Sequence, residues 1–272
     1  MAVRVALAQV GSTADKARNL DTAGAYMERA ADGGAQLVVF PEVFMNHFPP
    51  DTPLEVQADS AEDLDGQFAM AMAALARDYG MWCVFGMRER SNDITGRSYN
   101  TTVIVDAQGK RAAFYRKTHL YDAFGTQESA KIAPGDELFT PLATPFGRVG
   151  LFVCYELRFP EVAREQVARG ADILLVPSGW VRGPLKEHHW QTLVTARALE
   201  NTTFVVACDQ VSDYYCGRSL VVDPMGVAIV DGGEEEQLLF ADLDLERIPG
   251  VRAKLPSYRH RRPALYTALR QD

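Results

Sequence analysis

No lysine- or arginine-rich run interrupts this sequence, and its formal net charge is −8. A nucleic-acid surface concentrates positive charge to displace counterions, so neither DNA nor RNA is an expected partner. Long apolar runs are missing too. A membrane-crossing helix needs about 20 apolar residues in a row, and nothing here approaches that, so no membrane partner is expected. The N-terminal stretch "MAVRVALAQVGSTADKARNL" turns polar too soon for a signal peptide. Cysteine is scarce: Cys83, Cys154, Cys208 and Cys216 form no C-x-x-C pair, and three of them lie in apolar, strand-like runs. A reduced, cytoplasmic protein is the expectation. The five histidines form no H-E-x-x-H and no Cys/His cluster at ligand spacing, and the adjacent His188 and His189 point in different directions on a helix. With no Walker loop and no G-x-G-x-x-G either, neither a metal nor a nucleotide cofactor is expected.

What the sequence does have is apolar bulk in a regular rhythm. Hydrophobic residues make up 47% of the chain, enough for a large core. Strand-length runs (4–10, 35–40, 81–87) alternate with helix-period stretches (15–32, 63–79), and "YNTTVIVDAQGKRAAFYRK" reads as a hairpin turning at Gln108-Gly109. The second half repeats the order with strands 148–154, 172–176 and 203–208 and helices 160–169 and 186–200. Three more strand-like runs lead into an irregular tail. "GAQLVVFPEVF" (34–44) aligns without gaps on "GADILLVPSGW" (170–180), and "RVALAQV" (4–10) on "RVGLFVC" (148–154). The offsets are 136 and 144 residues (170 − 34 and 148 − 4), which fits an internal duplication with a small length change. Two matched halves without a visible linker predict two packed sheets with helices outside. In that frame Glu42 and Cys154 both fall at strand ends and could open on one edge.

Cys154 closes a buried strand and is followed by Tyr155, Glu156 and Arg158. A lone cysteine often packs as a small hydrophobe, but strand ends of α/β folds are also where ligands bind. Read that way, Cys154 is a candidate nucleophile. Glu42, in "VVFPEVF", is flanked by apolar residues, surroundings in which a carboxylate can act as a base near neutrality. Lys117, in "FYRKTHLYD", would be a solvent anchor in most settings. Beside a cysteine its ammonium would favour the thiolate and could hold an oxyanion.

Together "FPEVF", "YRKTHLYD" and "VCYELRFPE" resemble the three motifs of the nitrilase superfamily of carbon–nitrogen hydrolases. Glu42, Lys117 and Cys154 stand in the family's order, 75 and 37 residues apart (117 − 42 and 154 − 117). "FGTQESAKIAPGD", "GPLKEHHW", "ARALENTTFVV" and "VVDPMG" extend the likeness from residue 3 to about 240. The resemblance implies an αββα four-layer sandwich in one domain, 1–272, and a catalytic Glu–Lys–Cys triad. It implies attack by Cys154, proton transfer by Glu42, and an oxyanion held by Lys117 and the Tyr155 N–H. A thioester then forms and is hydrolysed by water. A second family glutamate matches Glu128, which would orient Lys117 or the substrate.

Within the superfamily, "CYELRFPE" with "GP…HW" is similar to the branch containing ω-amidases and deaminated-glutathione amidases. The substrate implied is a small amide, carboxylate-bearing and releasing ammonia. Arg158 would meet that carboxylate, unless it forms a salt bridge with Glu156 or Glu161, and Trp180 would wall the pocket. Glu156 stands where the branch more often has aspartate, and Arg218 where histidine is common. The family also implies a homodimer or larger homo-oligomer. The tail from about 245 to 272 mixes aromatics with arginines, which suits either a contact with a partner subunit or a strap over its own. Other readings remain open: nitrile or N-carbamoyl hydrolysis by the same triad, a Cys154–His119 thiol hydrolase or acyltransferase, and a non-catalytic scaffold.

Overall fold

The computed structural model describes residues 2–49, 51–91 and 96–266. Strand β1 (Ala2–Gln9) shows how the layers arise. Its side chains alternate, so Val3, Val5 and Leu7 enter one apolar cluster while Ala6 and Ala8 enter another. It is followed by α1 (Lys16–Asp32), β2 (Leu37–Val39), α2 (Leu54–Asp59), α3 (Gln67–Asp78), β3 (Trp82–Glu89), β4 (Ser98–Val105) and β5 (Arg111–Arg116). Strands β1, β2 and β3 run parallel, and β4 and β5 add an antiparallel hairpin. Its turn lies where expected, with Gly109 at φ 78° supplying the left-handed residue. A small hairpin of β6 (Asp122–Ala123) and β7 (Thr126–Gln127) follows, and β8 (Ile132–Ala133) pairs with β4.

The second sheet opens with β9 (Leu142–Thr144) and β10 (Gly147–Leu151), which pair antiparallel. After α4 (Pro160–Ala168), β11 (Ile173–Ser178), α5 (Lys186–Asn201) and β12 (Phe204–Asp209), strands β10, β11 and β12 lie parallel. Strands β13 (Leu220–Val222) and β14 (Ala228–Asp231) add an antiparallel hairpin, and β15 (Gln237–Asp244) returns antiparallel to β1. Each sheet is therefore an antiparallel edge, three parallel strands and an antiparallel hairpin. The duplication read from two short alignments thus extends to strand order and direction.

One apolar cluster joins the facing sides of the two sheets and continues to α4 and α5 through Val162, Trp190 and Val194. The other packs α1 and α3 on the outer face of the first sheet through Met27, Phe68 and Met72. The layers are αββα. Fully burying one such side chain is worth about 1.5–3 kcal/mol, so the inter-sheet cluster is the main anchor of the fold.

The expected elements occur with bounds shifted by a few residues, and where they are shorter the reasons are local. Strand β2 stops at Val39 because the chain soon reaches Pro41, which has no N–H for a ladder. Helix α3 begins at Gln67 rather than 63, where Glu62 accepts a hydrogen bond from the Phe68 N–H at 2.8 Å. Helix α6 (Arg247–Lys254) begins the tail, with Ile248 in the core. Arg252 donates to Thr202 Oγ1 at 2.9 Å, and Arg164, Arg252 and Arg261 surround the Tyr258 ring. As far as Tyr258 the tail packs on its own subunit, and residues 267–272 lie outside the described residues.

Candidate active site

The parallel strands end on one side, and there the chain departs sharply from each. After β2, Pro41, Glu42 and Val43 turn across β3, an approach that Gly86 makes possible. A Cβ on Gly86 would lie 2.4 Å from the Val43 nitrogen and 2.9 Å from the Glu42 carbonyl carbon. The turn holds Val43 in the left-handed region at φ 49°, a costly place for a β-branched residue. Lys117 follows the last residue of β5, its N–H donating to the Asn100 carbonyl of β4 at 2.9 Å. Cys154 lies three residues beyond β10, at φ 47°, and opens a 3-10 turn, Cys154–Arg158.

These departures converge. Lys117 Nζ lies 2.9 Å from Glu42 Oε1 and 2.9 Å from Glu128 Oε2, and all three side chains are largely shielded from solvent. Asn100 Nδ2 donates to Glu42 Oε1 at 2.7 Å and to Glu128 Oε1 at 3.1 Å. The second sheet holds the same carboxylate from the other side, since the Gly179 N–H donates to Glu42 Oε2 at 2.7 Å. Gln210 Nε2 also donates to the Glu42 carbonyl at 2.7 Å. Glu128 accepts in addition from the Tyr121 N–H at 2.6 Å. Glu42, Lys117, Glu128, Cys154, Tyr155 and Trp180 all border one cavity of about 350 Å³.

Electrostatics separate the roles these groups can take. Burial alone would push the Lys117 ammonium down, but the adjacent Glu128 and Glu42 outweigh it and hold the lysine well above its ordinary value. It stays a fixed cation at neutral pH. Burial, with Glu42 pushing the same way, raises the Cys154 thiol well above its ordinary value, against the opposing pull of Lys117. The resting sulfur is a thiol and needs a base before it can act as a nucleophile. Burial also raises Asp209 well above the carboxylate range, and its Oδ1 accepts from the Trp180 N–H at 2.6 Å. Asp209 thus anchors the loop carrying Gly179.

Arg158 does not occupy the place expected for it. It forms no ion pair with Glu156 or Glu161 among the described residues, and it does not border the cavity. Its guanidinium lies 5.0 Å from the centre of the Trp180 ring, and Nη2 is 3.5 Å from His189 Nδ1. The 3-10 turn after Cys154 carries it there. Glu156 points into the protein instead. Its Oε1 accepts from Tyr115 Oη at 2.7 Å, Thr118 Oγ1 at 2.6 Å and the Thr118 N–H at 3.1 Å, while Oε2 accepts from the Val153 N–H at 2.7 Å. One carboxylate thereby ties the residue after Lys117 to the residue before Cys154. The His119 side chain, followed by these donors, outweighs burial and holds Glu156 below its ordinary value.

His119, the alternative partner for the thiol, stacks on Phe159 at 4.2 Å with Nδ1 3.2 Å from Glu156 Oε1, away from the cavity. Strand β5 ends at Arg116, so strand alternation does not put His119 on the same face as Lys117. Asn100 was not anticipated: it is one polar residue in an alternating strand, and nothing in "YNTTVIV" distinguishes it. Lys186 and Arg88 also border the cavity without a sequence signal. No His/Cys/Asp/Glu cluster among the described residues could hold a metal ion.

Residues 4–253 match the carbon–nitrogen hydrolase family. The chain is 38% identical over 258 residues to the deaminated glutathione amidase of Escherichia coli O157:H7, covering 95% of this chain and 97% of that one. Among solved structures it is similar to the C. elegans NitFhit protein, with TM-score 0.89 and 32% identity over 97% of this chain and 66% of the other. It is also similar to the Nesterenkonia sp. AN1 amidase of the nitrilase superfamily, with TM-score 0.82 and 28% identity over 98% and 96% of the two chains. That amidase structure is a glutamate-to-glutamine mutant with the acetamide moiety of fluoroacetamide added covalently at the active-site cysteine. A match running through both sheets and every turn that lines the cavity leaves one assignment: the chain belongs to the carbon–nitrogen hydrolases, and it is a hydrolase of C–N bonds other than peptide bonds.

Proposed function

We propose that this protein hydrolyses a small, carboxylate-bearing amide through a thioester on Cys154. The observation that carries the reading is the Glu42–Lys117 pair, 2.9 Å apart on the wall of the cavity that Cys154 also borders. Glu42 takes the thiol proton as Sγ attacks the carbonyl carbon, and Lys117 faces the negative charge that develops on oxygen. Glu42 then returns the proton to the leaving nitrogen, the C–N bond breaks, and the acyl group stays on sulfur. Water, deprotonated by Glu42, attacks the thioester and releases the acid. Glu128 holds the ammonium from its second side. Deaminated glutathione, the substrate named for the E. coli relative, is the first compound to test beside simple primary amides. The covalent adduct in the Nesterenkonia amidase supports cysteine as the point of attachment. The four free, buried cysteines support the cytoplasmic reading, and a homodimer remains part of the proposal.

The test is trapping. Glu42→Gln keeps the shape and removes the base, so turnover should fall by about 10²–10⁴-fold. Wild type quenched in acid during turnover of a reactive amide should carry an acyl mass on Cys154, detected by peptide mass spectrometry. An adduct on Cys83, Cys208 or Cys216 instead, or near-normal turnover in the variant, would overturn the mechanism.

A further inference from the structure

The geometry points to Lys186, not Arg158, as the residue that receives the carboxylate of the substrate. This rests on the acidic-amide reading above. Lys186 opens α5 and is only 5% exposed, yet it borders the cavity. Its Nζ donates to Tyr121 Oη at 2.8 Å, and no carboxylate lies within ion-pair distance of it among the described residues. An ammonium has three donors, so two remain for a ligand in the cavity. Three rings surround it instead, with Nζ 4.8 Å from the centre of Tyr121, 4.5 Å from Phe124 and 5.4 Å from Trp180. Aromatic faces attract a cation without neutralising it, which leaves its charge for an incoming anion.

The other cavity charges point the same way. The lining carboxylates Glu42 and Glu128 are both bound to Lys117, whereas Arg88 and Lys186 add further positive charge. A chain of net charge −8 has concentrated cations where its substrate enters. Phe124, 72% exposed at the tip of the β6–β7 hairpin, sits over the lysine, so a carboxylate bound there lies toward solvent. Trp180 Nε1 donates at 2.9 Å to the Lys186 backbone carbonyl, a contact that side-chain substitution leaves in place.

The test compares kcat/KM for a monoamide of a short dicarboxylic acid with that for its uncharged methyl ester analogue. Wild type, Lys186→Met, Lys186→Arg and Arg158→Met are measured, with stoichiometric alkylation of Cys154 as the check that each variant is folded. Lys186→Met should lose about ten- to a hundredfold on the acidic amide, mainly in KM, so that the acid-over-neutral ratio collapses. Lys186→Arg should keep most of that ratio, and Arg158→Met should lower both substrates together. A wild-type preference for the acid that survives in Lys186→Met, or is lost in Arg158→Met alone, overturns the assignment to Lys186 and leaves the acidic-amide reading standing. A wild type that does not distinguish the two amides overturns that reading, and the role of Lys186 with it.

Discussion

The two halves of this protein follow the same path and carry different chemistry. In the alignment offset by 136 residues, Glu42 corresponds to Ser178; in that offset by 144, Cys154 corresponds to Val10. Ser178 is fully buried, with its hydroxyl 3.3 Å from the Val176 carbonyl, and Val10 packs in the outer apolar cluster. The first half brings a carboxylate and an ammonium to the cavity, and the second brings the thiol. Neither half contains the full set, so the site exists only where the sheets meet. The seam is tied by polar contacts at that end. Gln210 and Gly179 reach Glu42, the Ser219 N–H donates to Gln9 Oε1 at 2.6 Å, and the Cys208 thiol lies 3.1 Å from the Val39 carbonyl.

The largest effect should come from breaking the asymmetry at the thiol. Cys154→Ala should reduce kcat by roughly 10⁴-fold or more while thermal unfolding stays near wild type. Adding Val10→Cys, which places a thiol at the matching position, should restore nothing, and recovered turnover would show that the halves are interchangeable.

A smaller effect, on stability, comes from the carboxylate that links the two motifs. Glu156→Gln preserves shape, but an amide has one acceptor oxygen, so its NH₂ must face either the Val153 N–H or the Tyr115 and Thr118 donors. It should destabilise the fold by about 2–4 kcal/mol at neutral pH, read from denaturant unfolding. The sign with pH follows from a carboxyl held below its ordinary 4.5. Its contribution is complete above that value and is lost as pH falls through the depressed folded value. The gap between wild type and variant should therefore close on acidification, and a gap independent of pH would remove the charge from the explanation.

The smallest effect is expected at the silent counterpart of Glu42. Ser178→Ala removes one long hydrogen bond and should change stability by no more than about 1 kcal/mol, with kcat unaltered. A loss of turnover comparable to that of Glu42→Gln would mean that the second half contributes more than its thiol.

Much of this was legible because buried parallel strands write themselves as apolar runs, and the turns after them carry residues that such runs do not need. Glu42, Lys117 and Cys154 stood out for that reason. Asn100 did not, because a buried polar residue in an alternating strand looks like a solvent-facing one until its partners are known. Arg158 was misplaced because spacing from Cys154 measures distance along the chain, whereas the 3-10 turn decides direction. Lys186 was hidden for a related reason: a lysine in the first turn of an amphipathic helix is ordinary, and the β6–β7 hairpin that helps enclose it lies 60 residues earlier in the chain (186 − 126).

The left-handed backbone at Cys154 has a consequence for anyone seeking a hardier form of this enzyme. At φ 47° glycine would relax the backbone that a side chain strains, and Val43, beside Glu42, is in the same condition at φ 49°. A design procedure guided by backbone comfort alone would choose these two positions early. At one it would delete the sulfur, and at the other it would loosen the turn that aims the carboxylate. The two strained residues in the Glu42 and Cys154 turns are therefore ones that such a redesign must leave untouched.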